Sequence, residues 1–379
     1  MLKIKYIRLT WKELAFLIII LSMVFYSFLE KIIPFVNYID DVFTVIIILV
    51  AIGKFIINIK KKKEKYDKND KYIVIFLVLL IFIGLIGNIV SKYQTSLTSI
   101  IIDIISFLKL AGVYLAGLVL FNNEKGEHYY TIAKYFSKII LIIITFIAIG
   151  NLVFDWGMSP KYARFGIEPY TLGGHPSFAS AITCCCLSIL LVEYKENRIW
   201  IILGLILTAL TLRMKAIGYV VLMCLIIPFY KNKKEFKLRS LIVYGLIAVL
   251  LTKDYIIAYF FDESASRGVA LISSIKLALE FLPLGAGFAT FGTTGSTMNY
   301  SKAYSVLGID DRYGFREDAS SFVGDGGWAT EIGQFGFLGA GMILFIIYLM
   351  YISVKKKVSS NLNCIPYISI FLYLLISST

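Results

Sequence analysis

A few charged and polar residues have the types and the spacing that could do chemistry. Arg164 lies eleven residues before His175, which two glycines precede and Pro176 follows, so both side chains could face one site. Histidine can accept a proton near neutral pH, and arginine holds phosphate with a planar pair of donors. The alternative for His175 is a cap and turn that begins a helix. No HExxH or other zinc spacing accompanies it, so we expect no metal.

A second cationic pair, Arg213 and Lys215, lies between two short apolar runs. The runs extend from Trp200 to Leu212 and from Ala216 to Tyr230. Helices of this length, at about 1.5 Å per residue, are shorter than a hydrocarbon core of roughly 30 Å, so the pair would be drawn below a membrane surface. An arginine at that depth is costly unless it meets an anion or a cavity, which makes the pair a candidate phosphate site. The alternative is that both side chains extend to the interface.

The long segment 252–336 carries a third group of charged residues. They are Arg267, Arg312, Arg316, Asp318, Asp325 and Glu331. Loops rich in charge are usually only solvated. A carboxylate can, however, accept a proton from a hydroxyl, and a guanidinium can hold phosphate, which together suit group transfer from a phosphorylated donor. The glycines at 285, 287 and 292 lack the strand and helix that would flank a nucleotide loop, so we interpret them as turn residues.

The elements that must position these residues are apolar helices. Of the 379 residues, 58% are apolar and only 17% are charged, and the mean hydropathy is +0.79, which excludes a soluble globular domain. We predict an all-α polytopic membrane protein, one integral membrane domain over residues 1–379 with about eleven (ten to twelve) transmembrane helices. The predicted spans are Glu13 to Leu29, Val42 to Ile57, Tyr72 to Val90, Ile100 to Phe121, Ile139 to Val153, Phe178 to Val192, Trp200 to Leu212, Ala216 to Tyr230, Leu241 to Leu251, Phe337 to Ile352 and Pro366 to Ser378.

The net charge of +13 predicts the orientation of these spans. If the N-terminus is cytoplasmic, most Lys and Arg fall on cytoplasmic loops, including Lys60 to Lys63 and the run from Lys231 to Arg239, as the positive-inside rule requires. The first span lacks a small-residue cleavage site before Glu30 and is expected to remain as an anchor. The positive charge therefore indicates topology and contact with anionic membrane lipids, and we expect no nucleic-acid partner.

This orientation places two functional segments outside the membrane. The first is residues 154–177, and the second is the large loop 252–336. The large loop is predicted to contain an amphipathic helix from Arg267 to Phe281, with Ser264 or Ser266 as N-cap and Pro283 as the stop. Its apolar face would be Val269, Ile272, Ile275 and Leu279. We expect this helix to lie against the outer membrane surface or the mouth of the helix bundle.

Three stretches of the chain resemble the Wzy-like polysaccharide polymerases and O-antigen ligases of bacterial envelopes. The resemblance covers about half of the chain, from Asp155 to Gly339. The stretches are Arg164-Phe-Gly166 with Gly174-His175-Pro176-Ser177, then Leu210-Thr-Leu-Arg213-Met-Lys215-Ala216, and finally Ser266-Arg267 with the 283–292 turn, Asp325-Gly-Gly-Trp328 and Gly336-Phe-Leu-Gly339.

The resemblance implies a GT-C-like membrane glycosyltransferase of the bacterial cytoplasmic membrane. Such an enzyme joins two sugar chains, each carried on undecaprenyl pyrophosphate, by inverting transfer on the outer face, without metal or other cofactor. Flippase and chain-length regulator proteins are implied as further partners. The arginines of this family are expected to hold the pyrophosphate, which assigns that role to Arg164, Arg213 and Arg267, with Lys215 assisting.

The resemblance also implies a candidate base. In the ligases a histidine precedes the Gly-x-x-Gly pair by eleven residues, and Asp325 occupies that position here. This difference favours a polymerase over a ligase, with Asp325 as the preferred base and His175 as the alternative. Further candidate site residues are Tyr170, Arg316, Asp318 and Glu331.

Three other functions stay open on the sequence. A ligase-type enzyme would transfer the polysaccharide to a different acceptor. A flippase or transporter of lipid-linked oligosaccharide also fits many helices with buried charge, although the long outer loop argues against a carrier. A glycosyltransferase that uses a polyprenyl-monophosphate sugar would have paired acids in an early outer loop, where Asp40-Asp41 lies.

Overall fold

The computed structural model describes most of the predicted helices. The described residues are 10–25, 29, 33, 39–60, 67–120, 126–156, 166, 168–172, 176–231, 257, 265–321, 323–324, 327–357 and 365–377. Within these ranges the regular structure is helical, and the only strand-like pairing is one isolated bridge between Arg316 and Ala319.

Thirteen helices are present in the described ranges. They are α1 (Trp11–Val24), α2 (Ile39–Lys60), α3 (Lys68–Ser91), α4 (Leu97–Leu120), α5 (Gly126–Phe154), α6 (Pro176–Leu191), α7 (Arg198–Leu210), α8 (Met214–Lys231), α9 (Ser266–Glu280), α10 (Thr294–Met298), α11 (Lys302–Val306), α12 (Gly327–Lys357) and α13 (Ile365–Ser377).

The apolar helices are compatible with the membrane class predicted from composition. Helices α3 and α4, residues 128–154 of α5 and residues 327–356 of α12 are each long and apolar enough to cross a bilayer. Helices α6 and α7 and residues 214–228 of α8 are apolar but shorter. Ten of the predicted spans coincide with described helices, and the span from Leu241 to Leu251 lies outside the described residues. The number of membrane crossings therefore stays a prediction.

The chain divides into two compact units. The first unit comprises Met1–Ile46, Leu120–Phe236 and Ser360–Tyr373, and the second comprises Ile47–Val119, Lys237–Ser359 and Leu374–Thr379. The predicted site residues are divided between them. Those up to Lys215 belong to the first unit, and those from Arg267 onward belong to the second.

The first unit is joined by hydroxyl groups between apolar helices. Thr208 Oγ1 on α7 donates to Thr183 Oγ1 on α6 at 2.8 Å. Ser369 on α13 lies 3.0 Å from Ser188 Oγ and 2.5 Å from Tyr219 OH. Such hydrogen bonds between helices satisfy polar side chains where lipid offers no partner. They link α6 to α7 and to α13, and they link α13 to α8.

In the second unit, α12 packs against α3 and α9, and the glycine-rich turn 281–293 lies against these helices. Gly287 has a φ of +98°, a conformation that favours glycine. A side chain on Gly87 of α3 would come within 2.8 Å of the Gly287 nitrogen and within 2.9 Å of the Gly285 carbonyl oxygen. The turn therefore approaches the helix backbone closely only because glycines face each other. The prediction that these glycines form turns is confirmed.

The predicted helix in the outer loop is present as α9, but two details of the prediction are wrong. The N-cap is Ala265, Ser266 is the first residue of the helix, and Ser264 lies outside the described residues. Val269 of the predicted face is buried, whereas Ile272 and Leu279 are exposed by 46% and 56%. The buried face combines Val269 and Leu277 with small residues, which lets α9 pack closely on α12.

We expect Gly87→Ala to destabilise the second unit by about 1–3 kcal/mol, because the added methyl group meets the backbone of the turn. Gly117→Ala on α4 is the matched control, since nothing lies within 4 Å of a side chain there. Alanine also favours helix more than glycine does. Thermal unfolding in detergent measures both variants. Equal effects of the two substitutions would contradict the close approach.

Candidate functional site

Three of the sequence-predicted site residues, Arg164, His175 and Asp325, lie outside the described residues. The other seven are described, and they fall into different environments. Some lie at helix starts, some on the surface and some in buried positions. The first unit contains Tyr170, Arg213 and Lys215, and the second contains Arg267, Arg316, Asp318 and Glu331.

In the first unit, Arg213 lies in the short connection between α7 and α8. Its Nη2 donates to the hydroxyl of Ser177, the second residue of α6. Lys215 lies in the first turn of α8 and is half-buried, as Arg213 is. The first turn of a helix presents unpaired N–H groups and a partial positive charge. Two cations beside such a turn make an environment that favours an anion.

Tyr170 has a different environment from that expected of a residue facing a substrate. It is buried, its OH donates to the Ile144 carbonyl oxygen at 3.2 Å, and its backbone N–H donates to the Leu210 carbonyl oxygen at 2.9 Å. Burial raises the pKa of its phenol, which therefore stays protonated. Tyr170 fixes the segment 168–172 against α5 and the C-terminal end of α7.

An apolar groove of about 920 Å³ also lies in the first unit, lined by α1, α5 and α6. It follows α6 from Phe178, which adjoins Ser177, to Ile189. The length of α6 between these two residues is about 16 Å at 1.5 Å per residue. A hydrocarbon chain is the kind of ligand that fits such a lining.

In the second unit, the surface charges pair with each other. Arg316 Nη2 lies 2.8 Å from Asp318 Oδ2, and both side chains are at least half exposed. Pairs of this kind between solvent-exposed groups contribute little to stability. Arg267 lies in the first turn of α9 and is half-buried. The structure thus brings Arg316 and Asp318 together, with each as the partner of the other.

A buried carboxylate holds the glycine-rich turn in place. Asp103 of α4 accepts hydrogen bonds at Oδ2 from the Ala289 N–H at 2.5 Å and from Gln334 Nε2 at 2.8 Å. Gln334 also donates to the Phe291 carbonyl oxygen at 3.1 Å. Sequence reasoning placed Asp103 in a span but assigned it no partner, because its partners lie about 190 and 230 residues further along the chain. The sequence feature that could have identified Asp103 is an acidic residue inside an apolar run.

Tyr304 supports the same turn from the outer loop. Its OH accepts from the Gly292 N–H at 3.0 Å and lies 2.7 Å from Ser296 Oγ. Ser296 already donates to the Thr293 carbonyl oxygen, so Tyr304 is the donor to Ser296. Burial raises the pKa of Tyr304 to about 12, which keeps this donor protonated at physiological pH.

Glu331 lies in α12 close to Asp103, but among the described residues its Oε2 lacks hydrogen-bond partners of the kind that Asp103 has. Its Oε2 is buried and accepts no hydrogen bond in the part of the chain that the structure describes. The neighbouring Thr330 hydroxyl donates to the Gly292 carbonyl oxygen at 3.1 Å. Asp103 interacts electrostatically with Glu331. The sequence singled out Glu331 as a charged residue near a helix start, but burial without a partner is visible only in the fold.

Comparisons with protein-family models, with curated proteins and with solved structures give no match. No group of three or more His, Cys, Asp or Glu residues that could hold a metal ion occurs among the described residues. The fold supports the class of an all-helical protein with helices able to cross a membrane.

We expect Asp103→Ala to destabilise the second unit by about 2–4 kcal/mol, because two buried donors lose their acceptor. Asp103→Asn is the matched variant and should keep most of the stability, since its amide oxygen can take the place of Oδ2. Thermal unfolding and protease cleavage of the 281–324 segment measure the difference. If both variants are equally destabilised, the charge of Asp103 matters more than its role as an acceptor.

Proposed function

We propose that this protein is a bacterial membrane glycosyltransferase that polymerises oligosaccharide units carried on undecaprenyl pyrophosphate. The transfer takes place on the outer face of the cytoplasmic membrane and inverts the configuration of the sugar. The observation that carries the proposal is the cationic helix start of the first unit, where Arg213 donates to Ser177 and Lys215 follows in the first turn of α8. This site suits the pyrophosphate of a lipid-linked donor.

The apolar groove along α6 supports a lipid-linked substrate. It begins at Phe178, one residue after the Ser177 that Arg213 contacts. A phosphate group on a long hydrocarbon chain needs a cationic site and an apolar surface on the same structural unit. The first unit offers both.

Contacts within each unit support the predicted alternation of the spans. They join segments that the charge pattern predicts on the same side of the membrane. The contacts are Asp67–Lys356 and Lys134–Glu193 on the predicted inner side, and Tyr93–Glu280 and Ser177–Arg213 on the predicted outer side. An antiparallel helix arrangement accounts for all four contacts, and the positive-inside rule assigns the N-terminus to the cytoplasmic side.

The proposed reaction needs two kinds of group. Negative charge develops on the pyrophosphate as the anomeric bond breaks, and it must be neutralised. The family resemblance proposes Arg164, Arg213 and Arg267, with Lys215, for this role. A base must take the proton of the acceptor hydroxyl. The family resemblance proposes Asp325 for this role, with His175 as the alternative. Flippase and chain-length regulator proteins would supply the substrate and limit the product.

Purified protein given a lipid-linked repeat unit should form a ladder of polymers without added metal or nucleotide. Arg164→Ala, Arg213→Ala and Arg267→Ala should each reduce polymer formation by about 100-fold or more, so that single lipid-linked units accumulate. Arg198→Ala is the control, because Arg198 packs over the Tyr194 ring on the predicted inner side. If the three variants form normal ladders, these arginines do not belong to the donor site. Transport of the lipid-linked unit without a ladder would favour the flippase.

Asp325→Asn tests the base that the family resemblance proposes. The amide cannot accept the hydroxyl proton, so polymer yield in a polymerase-null strain should fall by about 100-fold or more. His175→Ala is tested beside it as the alternative base. Polymer of normal length and yield from Asp325→Asn would show that Asp325 is not the base.

A further inference from the structure

The side chain of Glu331 has a buried oxygen atom, Oε2, in the second unit. Glu331 lies in the second turn of α12, five residues before Gly336, where the backbone leaves helical geometry with a φ of 67°. Its Oε2 accepts no hydrogen bond from the described residues. Most buried polar atoms in native proteins have a partner, and an unpaired one costs about 1–3 kcal/mol, more when it is charged. The position of Glu331 therefore requires an explanation.

The groups around Glu331 are already engaged elsewhere. Asp103 is itself an acceptor, and its Oδ2 is occupied by the Ala289 N–H and the Gln334 amide. The Thr330 hydroxyl donates to the Gly292 carbonyl oxygen. Tyr304 donates to Ser296. The surrounding turn thus has its own polar groups satisfied, and Glu331 is the exception in its immediate surroundings.

A buried acceptor atom without a partner indicates a position where a ligand binds, because a hydrogen-bond donor of the substrate would then pair with that atom. We propose that Glu331 is a catalytic carboxylate that takes the proton of the acceptor sugar's hydroxyl group, an inference that rests on the proposed glycosyl transfer. It makes Glu331, in place of Asp325 or His175, the proton acceptor of the reaction.

The proposed step balances in atoms and electrons. The acceptor hydroxyl oxygen forms a bond to the anomeric carbon of the donor sugar. The bond from that carbon to the pyrophosphate oxygen breaks, and its electron pair leaves with the pyrophosphate. The hydroxyl proton moves to Oε2 of Glu331.

Glu331→Gln tests the proposal because it preserves the size of the side chain and removes its ability to take a proton. We expect polymer formation in the purified ladder assay to fall by at least about 100-fold. We also expect the thermal midpoint to stay the same or rise, because a neutral amide costs less to bury than an unpartnered acid. Glu317→Gln is the matched control, since Glu317 is an exposed acid of the same outer loop.

The outcomes separate the proposal from a structural role and from failure of the proposed function. Loss of polymer with an unchanged or higher midpoint supports Glu331 as a catalytic residue. Loss of polymer with a lower midpoint shows that Glu331 supports the fold, and normal polymer shows that it has no role in transfer. Either of these results overturns the inference while the polymerase function stands. Absence of any ladder from the unmodified protein would overturn the function itself.

Discussion

The structure of the second unit depends on satisfying a buried stretch of backbone next to apolar helices. Residues 285–291 are buried, and side chains of the neighbouring helices supply the hydrogen-bond partners that water cannot supply there. Asn88 both donates to the Phe288 carbonyl oxygen and accepts from its N–H, at 2.8 and 2.9 Å. Ser91 donates to the Ala286 carbonyl oxygen, and Asp103 accepts from Ala289. The polar residues inside these helices therefore serve first to hold an irregular segment at the helix ends.

This constraint changes how the charged residues are interpreted. An acid or amide in an apolar helix is a functional candidate by default, yet Asn88, Asp103 and Gln334 all have structural partners in the turn. Exposed charges also give no evidence of a functional site, because Arg316 and Asp318 form an ion pair with each other at the surface. The candidates that remain are those whose environment favours something absent from the chain. Arg213 with Lys215 at a helix start favours an anion, and Glu331 favours a proton donor.

The sequence predicted the helices well because the length of an apolar run is a local property. It could not predict which face of α9 is buried, since that depends on the partner helix. Large apolar residues mark the buried face of a surface helix in general, but the buried face of α9 combines Leu277 with small residues such as Ala270 and Ser274. The partners of Asp103 were beyond sequence reasoning for the same reason, because nothing local connects α4 with a turn almost 190 residues later. Arg213 could be identified from the sequence as a candidate phosphate-binding residue, because a cation between two short apolar runs is a local feature.

Transfer from a phosphorylated donor makes opposite electrostatic demands on its two substrates. The leaving group requires positive charge, and the attacking hydroxyl requires a basic oxygen. A cation and an acid in direct contact would pair as a salt bridge, and the acid would then be a weaker base. The described cationic candidates are arginines and a lysine at helix starts, whereas Glu331 has no cation among its described interactions. An acid that is not paired with a cation keeps its oxygen available to a proton that a substrate brings.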